Sequence, residues 1–253
     1  MMRKVKYFTT FVLMLVCSFI GQAQNRLYGD VNEDGEVNIA DVNAVINVIL
    51  GGGPSNGHEY VDLGLPSGTL WATCNIGASS PEEFGDFFAW GETTPKNYYN
   101  WDNYKWCEGS YNMLTKYCTE PSHGYNGFTD GKTELDPEDD AAYVNWGAQW
   151  RIPTSDQIDE LIHKCSWTFT TRNEVNGYLF TGPNGNTLFL PAAGRRYTES
   201  PSSEVYSCFY WSSTLWYYPE SALSLFFHST LKTVAANDRH TGLPVRAVRV
   251  STN

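Results

Sequence analysis

The segment Gly29–Leu50 constrains the chain most, because its oxygen-bearing side chains recur at fixed spacing. Numbered from Asp30, positions 1, 3, 5, 7, 9 and 12 are Asp30, Asn32, Asp34, Glu36, Asn38 and Asp41. Gly35, at position 6, permits the sharp turn that brings these groups together. Calcium is a hard cation that takes six to eight oxygen ligands. The spacing therefore predicts one calcium-binding loop, in which Glu36 offers its carbonyl and Asn38 acts through water.

An amphipathic helix is predicted to follow this loop. Val42, Val45, Ile46 and Ile49 recur at intervals of three and four residues, and Gly51 can end the helix. A single loop and helix cannot bury such an apolar face alone. We therefore expect it to pack on the rest of the chain, on a second copy or on a partner.

The loop pattern, D-x-N-x-D-G-x-V-N-x-x-D followed by one helix, resembles a dockerin type I repeat. A general EF-hand has Glu at position 12, where this chain has Asp41. Dockerins carry two such repeats and this chain has one. The resemblance implies calcium as the cofactor and a cohesin-like or intramolecular partner for residues 25–50.

The first 23 residues have the pattern of a secretory signal peptide. Arg3, Lys4 and Lys6 precede the apolar run Tyr7–Ile20, and small residues follow up to Ala23. The alternative is a membrane anchor, but the run is short for a bilayer. We expect an exported protein, located extracellularly, on the cell surface or in the periplasm, with no membrane span after cleavage.

Charge excludes one class of partner. The net charge is −11, and removal of the leader, with its three basic and no acidic residues, lowers it to −14. Nucleic-acid binding requires clustered Lys and Arg, so we expect no nucleic acid.

The cysteine count suggests disulfides in an exported protein. Cys17 lies in the predicted leader, which leaves five: Cys74, Cys107, Cys118, Cys165 and Cys208. An odd number predicts up to two disulfides and one free thiol. Cys107 with Cys118 is the most local pair, and the connectivity stays open.

The rest of the chain is predicted to be a linker, 51–57, and one α+β domain, 58–251. Helices are expected at Asp140–Trp146 and Thr154–Lys164, each with a capping residue. Strands are expected at Tyr178–Thr181, Thr187–Pro191, Phe209–Ser213, Ala222–His228 and Pro244–Val250. Five tryptophans are expected in the core: Trp71, Trp90, Trp146, Trp150 and Trp211.

No catalytic motif is recognisable in this domain. The densest acidic run is Asp136, Glu138, Asp139 and Asp140, and we interpret it as a solvated turn before a helix. Scattered histidines have no nucleophile-elbow or zinc-protease context. The sequence therefore predicts a non-enzyme.

Two polar and aromatic stretches are candidates for a ligand surface. Aromatic rings stack on sugar faces or apolar patches, while amides and charged groups supply directional hydrogen bonds. The candidate residues are Trp216, Tyr217, Tyr218 and Glu220, with Asn237, Asp238, Arg239 and His240. The expected ligand is a carbohydrate or a cell-surface protein.

Four further stretches carry a resemblance: Asp140–Trp146, Trp150–Thr154, Tyr210–Thr214 and Val245–Arg249. They are similar to the formylglycine-generating-enzyme branch of the C-type-lectin-like fold and to its secreted, non-enzymatic "major paralogous" relatives. The resemblance implies two helices, a twisted, mostly antiparallel sheet and long loops, with ligands bound between Ser213 and Pro244. The enzymatic branch uses a copper-binding cysteine pair, and only Cys208 lies in that region.

Two functional hypotheses follow. The first is an exported calcium-binding protein with a non-catalytic, lectin-like domain for ligand binding or adhesion. The alternative is a dockerin-bearing component of a polysaccharide-degrading assembly, with or without glycoside hydrolase activity.

Overall fold

The computed structural model describes residues 57–197, 207–228 and 231–250. The chain divides into two units, Met1–Leu50 and Gly51–Asn253, and every described residue belongs to the second. The signal peptide, the calcium loop and nearly all of the linker lie outside the described residues. They stay predictions from the sequence.

Both predicted helices are confirmed, and their caps explain where they begin. Helix α1, Ala141–Trp146, starts at Asp140, whose carboxylate accepts hydrogen bonds from two first-turn amides. Helix α2, Ser155–Lys164, starts at Thr154, which forms a reciprocal capping box with Gln157. Neither helix has the length and hydropathy needed to cross a bilayer.

Short strands make up most of the regular structure in the described ranges. They are β1 Tyr60–Asp62, β2 Thr69–Ala72, β3 Phe87–Phe88, β4 Ser166–Arg172, β5 Val175–Thr181, β6 Thr187–Pro191, β7 Cys208–Leu215, β8 Ser221–His228, β9 Leu231–Asp238, β10 Leu243–Pro244 and β11 Val248–Val250. They form four antiparallel sheets in the orders β1-β2-β11, β10-β3, β4-β5-β6 and β7-β8-β9. The unit is therefore sheet-rich, with two α-helices.

The strand predictions hold in part. Strand β6 has the predicted bounds, and β5, β7 and β8 extend the predicted runs by one to three residues at their ends. The predicted strand Pro244–Val250 is wrong as one element, because its middle leaves the sheet and β10 and β11 join different partners. Strands β4 and β9 were not expected. Much of the predicted ligand segment after Ser213 therefore lies in strands.

The core has two large apolar clusters. One packs the buried face of α2, formed by Ile158, Leu161 and Ile162, against strands of three sheets. The other is built around Trp90, Trp150 and Trp211. The five tryptophans expected in the core are all buried, which confirms that prediction.

The disulfide prediction is wrong for the described residues, because all five cysteines there are free. Cys107 Sγ lies 3.1 Å from the carbonyl oxygen of Trp101, and Cys118 Sγ lies 3.2 Å from that of Glu120. The two thiols thus donate to separate carbonyls. Burial raises the pKa of the Cys165 thiol to about 11 and raises that of Cys208 further, so these thiols stay protonated.

Candidate functional site

The turn between β7 and β8 presents three aromatic rings to solvent. Trp216, Tyr217 and Tyr218 are 41, 73 and 54% exposed. Two backbone hydrogen bonds close the turn: Trp216 N donates to Ser221 O at 3.1 Å, and Ser221 N donates to Tyr218 O at 3.0 Å. The two tyrosine rings meet edge to face, with centroids 5.0 Å apart. The three rings predicted to be exposed therefore lie together on a closed turn.

Arg239 does not belong to this surface, contrary to the prediction. It is fully buried, and its guanidinium donates four hydrogen bonds. The acceptors are the Tyr104 hydroxyl and the carbonyl oxygens of Lys116, Tyr117 and Pro219, at 2.8 to 3.0 Å. The guanidinium also lies 5.0 Å from the ring centroid of Trp90. Arg239 therefore anchors the aromatic turn from below, through Pro219.

The other three residues of the second stretch have different environments. Asn237 is buried, where its amide donates to Ser224 Oγ at 2.8 Å and accepts from Arg195 at 3.2 Å. Asp238 is exposed at the end of β9. His240 is half-buried beside Trp101, with ring centroids 4.7 Å apart, and burial lowers its pKa. Of these four predicted residues, only Asp238 is exposed.

Glu220 lies beside two residues, His123 and Tyr111, that were not predicted to belong to the ligand surface. Its carboxylate lies 3.3 Å from His123 Nε2, and the His123 ring lies 6.3 Å from that of Tyr111. Tyr111 is exposed. The structure thus brings a second loop beside the aromatic turn. A signal was present in the sequence, because Tyr111 stands between Gly109-Ser110 and Asn112, where turn residues leave an aromatic ring little core to join.

The acidic run is a turn before helix α1, as predicted, and Glu138 is exposed, but Asp139 and Asp140 are not solvated. Asp139 is buried and accepts hydrogen bonds from Tyr117 Oη at 2.7 Å and Lys116 Nζ at 2.6 Å. Asp140 is also buried, and its second oxygen accepts from Ile152 N at 2.9 Å. The burial of these two carboxylates was missed because Lys116, Tyr117 and Ile152 are distant in sequence. Both carboxylates hold backbone and side chains in place.

The calcium ligands predicted between Asp30 and Asp41 lie outside the described residues. Their chemistry fits calcium, because every predicted donor is a carboxylate, amide or carbonyl oxygen. Within 57–197, 207–228 and 231–250, no group of three or more His, Cys, Asp or Glu side chains is arranged to hold a metal ion.

Comparison with known proteins bears on the amino-terminal segment. Residues 28–64 match the family model of the Dockerin type I domain. The end of this match reaches the described unit, where Tyr60–Asp62 form β1 and pair with β2. No curated protein and no solved structure matches the chain.

The match confirms the predicted cofactor and supports one class of partner. Dockerin type I domains bind calcium, and they bind cohesins. They are typically found on extracellular or secreted proteins. A calcium-binding module of a cellulosome-type assembly fits the alternative hypothesis better than the adhesion hypothesis. A Dockerin type I domain is therefore found at residues 28–64 of this chain.

Proposed function

We propose that this chain is an exported, non-catalytic component of a cellulosome-type, polysaccharide-degrading assembly. Residues 28–64 bind calcium and dock on a cohesin-like partner, while the β-rich unit supplies a ligand surface. The observation that carries the proposal is the Dockerin type I match over the segment that contains the oxygen-donor spacing. The oxygen-donor spacing lies wholly before the β-rich unit, while the match extends to β1.

Calcium controls docking in this proposal through local electrostatics. Without the ion, the carboxylates of Asp30, Asp34 and Asp41 repel one another as they approach. Calcium reverses that repulsion and fixes the start of the helix that follows. The stripe of Val42, Val45, Ile46 and Ile49 then faces the partner as one ordered apolar surface.

A panel of recombinant cohesin modules tests the docking proposal. The full chain is immobilised, and cohesin binding is measured once in about 2 mM calcium and once in EGTA. This calcium concentration is about twice the weakest dissociation constant expected for extracellular sites. We expect at least one cohesin to bind in calcium only. The double variant Asp30→Asn, Asp34→Asn should abolish binding, while Asp156→Asn, an exposed acid on α2, should leave it unchanged. Absence of binding across the panel, or equal binding in EGTA, would contradict the proposal.

A lectin-like ligand-binding role for the β-rich unit is the second part of the proposal. Three exposed rings on a turn that Arg239 anchors favour it, because an ordered aromatic platform loses little entropy when it binds. The chemical class of the ligand is a carbohydrate or a surface protein. A glycan array and a display screen with the full chain would identify it.

Paired aromatic variants then test the surface. Trp216→Ala with Tyr217→Ala should weaken binding of any ligand found by a factor of about 10 or more, as expected for the loss of central aromatic contacts. Tyr125→Ala removes another exposed tyrosine and serves as the matched control. Unchanged affinity in the double variant would place the ligand elsewhere.

Glycoside hydrolase activity is the competing role for the described unit. A pair of carboxylates would have to face a cleft with oxygens free for acid–base chemistry. In the densest acidic run, both oxygens of Asp140 accept amide hydrogen bonds, and Asp139 is held by Lys116 and Tyr117. These occupied oxygens support the non-catalytic proposal. Reproducible hydrolysis of polysaccharides by the highly purified chain would contradict it.

A further inference from the structure

A cavity of about 630 Å³ is lined by residues of helix α2, of strand β11 and of the segment between helices α1 and α2. Much of its wall is apolar, with Leu135, Ala148, Ile152 and Val248 contributing. This volume lies within the range of small-molecule binding sites, about 300–1,000 Å³. The cavity is also lined by the charged side chain of Arg249, which determines the class of ligand that fits.

Arg249 lines this cavity and is only 6% exposed. Two of its nitrogens, Nε and Nη1, are enclosed and have no hydrogen-bond partner within the described part of the chain. An enclosed donor without a partner destabilises a protein, and it does so more strongly when it is charged. A ligand that accepts from this guanidinium would therefore recover a large interaction energy.

Aromatic rings hold the guanidinium without using its donors. Its central carbon lies 4.8 Å from the ring centroid of Tyr60 and 5.9 Å from that of Trp150. Cation–π contacts of this kind use the face of the guanidinium, while its N–H groups point outward in the plane. An anion would be recognised at that edge.

Several other polar side chains of the cavity already have hydrogen-bond partners. Thr154 and Gln157 bond each other in the capping box, and Ser213 donates to Glu134 at 2.7 Å. Arg151 donates to the carbonyl oxygens of Ala148 and Trp150. A sugar needs many free polar partners, and besides Arg249 the lining offers mainly the exposed Gln149.

Asp140, which also lines the cavity, leaves Arg249 uncompensated. Its carboxylate accepts three backbone hydrogen bonds, from Ala142, Tyr143 and Ile152, at 2.8 to 3.0 Å. With Arg151 present, the lining has two cations and one carboxylate. A protein of net charge −11 thus has a locally positive, largely apolar cavity, which favours an anionic guest.

We propose that this cavity binds a small organic monocarboxylate with an apolar body, whose carboxylate accepts hydrogen bonds from Arg249. A planar carboxylate matches the fork of a guanidinium, and the apolar walls take the rest of the molecule. None of the residues that line the cavity belongs to the aromatic turn or to residues 28–64, although Tyr60 contacts Arg249. Failure of this proposal would leave the proposed function standing.

Calorimetric titration of the full chain with 3-phenylpropionate tests the proposal. The neutral isostere 3-phenylpropionamide and inorganic phosphate serve as comparison ligands. We expect the carboxylate to bind at least about 10-fold more tightly than the amide, because a hydrogen bond to a charged group is lost. Phosphate should not compete, because it lacks the apolar body. Equal binding of acid and amide, or binding of phosphate alone, would overturn the proposal.

Variants locate the site. Arg249→Met should reduce affinity for 3-phenylpropionate at least about 10-fold, and Arg172→Met, at an exposed arginine, should not change it. If Arg249→Met does not fold, Ala148→Trp gives an independent test, because Ala148 is exposed where it lines the cavity and a large ring there would block entry. Full affinity in a folded Arg249→Met or in Ala148→Trp would overturn the proposal.

Discussion

Replacement of Arg239 by methionine should destabilise the β-rich unit strongly. The substitution keeps much of the apolar length but removes four hydrogen bonds, and it leaves four acceptors buried: one hydroxyl and three carbonyl oxygens. At about 1 kcal/mol for each net bond, the free energy of unfolding should fall by about 4 kcal/mol. Loss of contacts with the Trp90, Tyr104 and Tyr117 rings acts in the same direction.

Differential scanning calorimetry measures this effect. In a unit of 150–250 residues, 1 kcal/mol shifts Tm by about 2–4 °C, so Arg239→Met should lower Tm by about 10 °C. Arg172→Met is the matched control. Its ion pair with Glu82, at 3.2 Å, is partly exposed, and its loss should change stability by less than about 1 kcal/mol.

The same variant separates two roles for Arg239. A surface ligand contact, as the sequence suggested, would leave Tm unchanged and reduce ligand binding. An anchor beneath the turn would lower Tm. A fully stable Arg239→Met variant would refute the structural reasoning.

Three further predictions test individual contacts. Asp140→Ala should lower the free energy of unfolding by about 2 kcal/mol, measured by urea unfolding, because helix α1 loses its cap and Ile152 N its acceptor; an unchanged midpoint would contradict this. Hydrogen bonds from Lys116 and Lys132 lower the pKa of Asp136, so this carboxylate contributes stability that is present above its ordinary pKa of 3.8 and lost as pH falls through the lowered value. Lys116→Met should therefore destabilise the unit more at pH 6 than at pH 2, and equal destabilisation at both would exclude the mechanism. Trp216→Ala with Tyr217→Ala should change stability by less than about 1 kcal/mol, because both rings are already exposed, and a larger loss would show that they pack in the core.

Local signals in the sequence predicted the helices and several strands. Thr154 and Gln157 are close in sequence, so their capping box can be recognised from the sequence. Asp140 directly precedes α1 and can likewise be recognised as its N-cap. Strand β6 is bounded by turn residues and is apolar throughout its buried part. These features depend on neighbours within a few residues, which the sequence displays directly.

Features that depend on distant partners were missed. Strand β4 is largely exposed and rich in threonine, so it lacks a strong apolar pattern, yet it pairs along its whole length with β5. Arg239 stands in a polar run that looks like a loop, but its acceptors come from residues 104, 116, 117 and 219. The burial of Asp139 and Asp140 in the acidic run was missed for the same reason. The disulfide prediction also failed in this way, because the number of cysteines does not show how far apart the thiols lie in the fold.

Calcium titration of the full chain tests the central claim most directly. The single predicted loop between Asp30 and Asp41 should bind one ion per chain, with a dissociation constant of about 0.1–1 mM, as expected for an extracellular module. The variant Asp30→Asn, Asp34→Asn should abolish the heat of binding. No heat up to 10 mM calcium (about ten times the weakest constant expected), or the same heat in the double variant, would contradict the account.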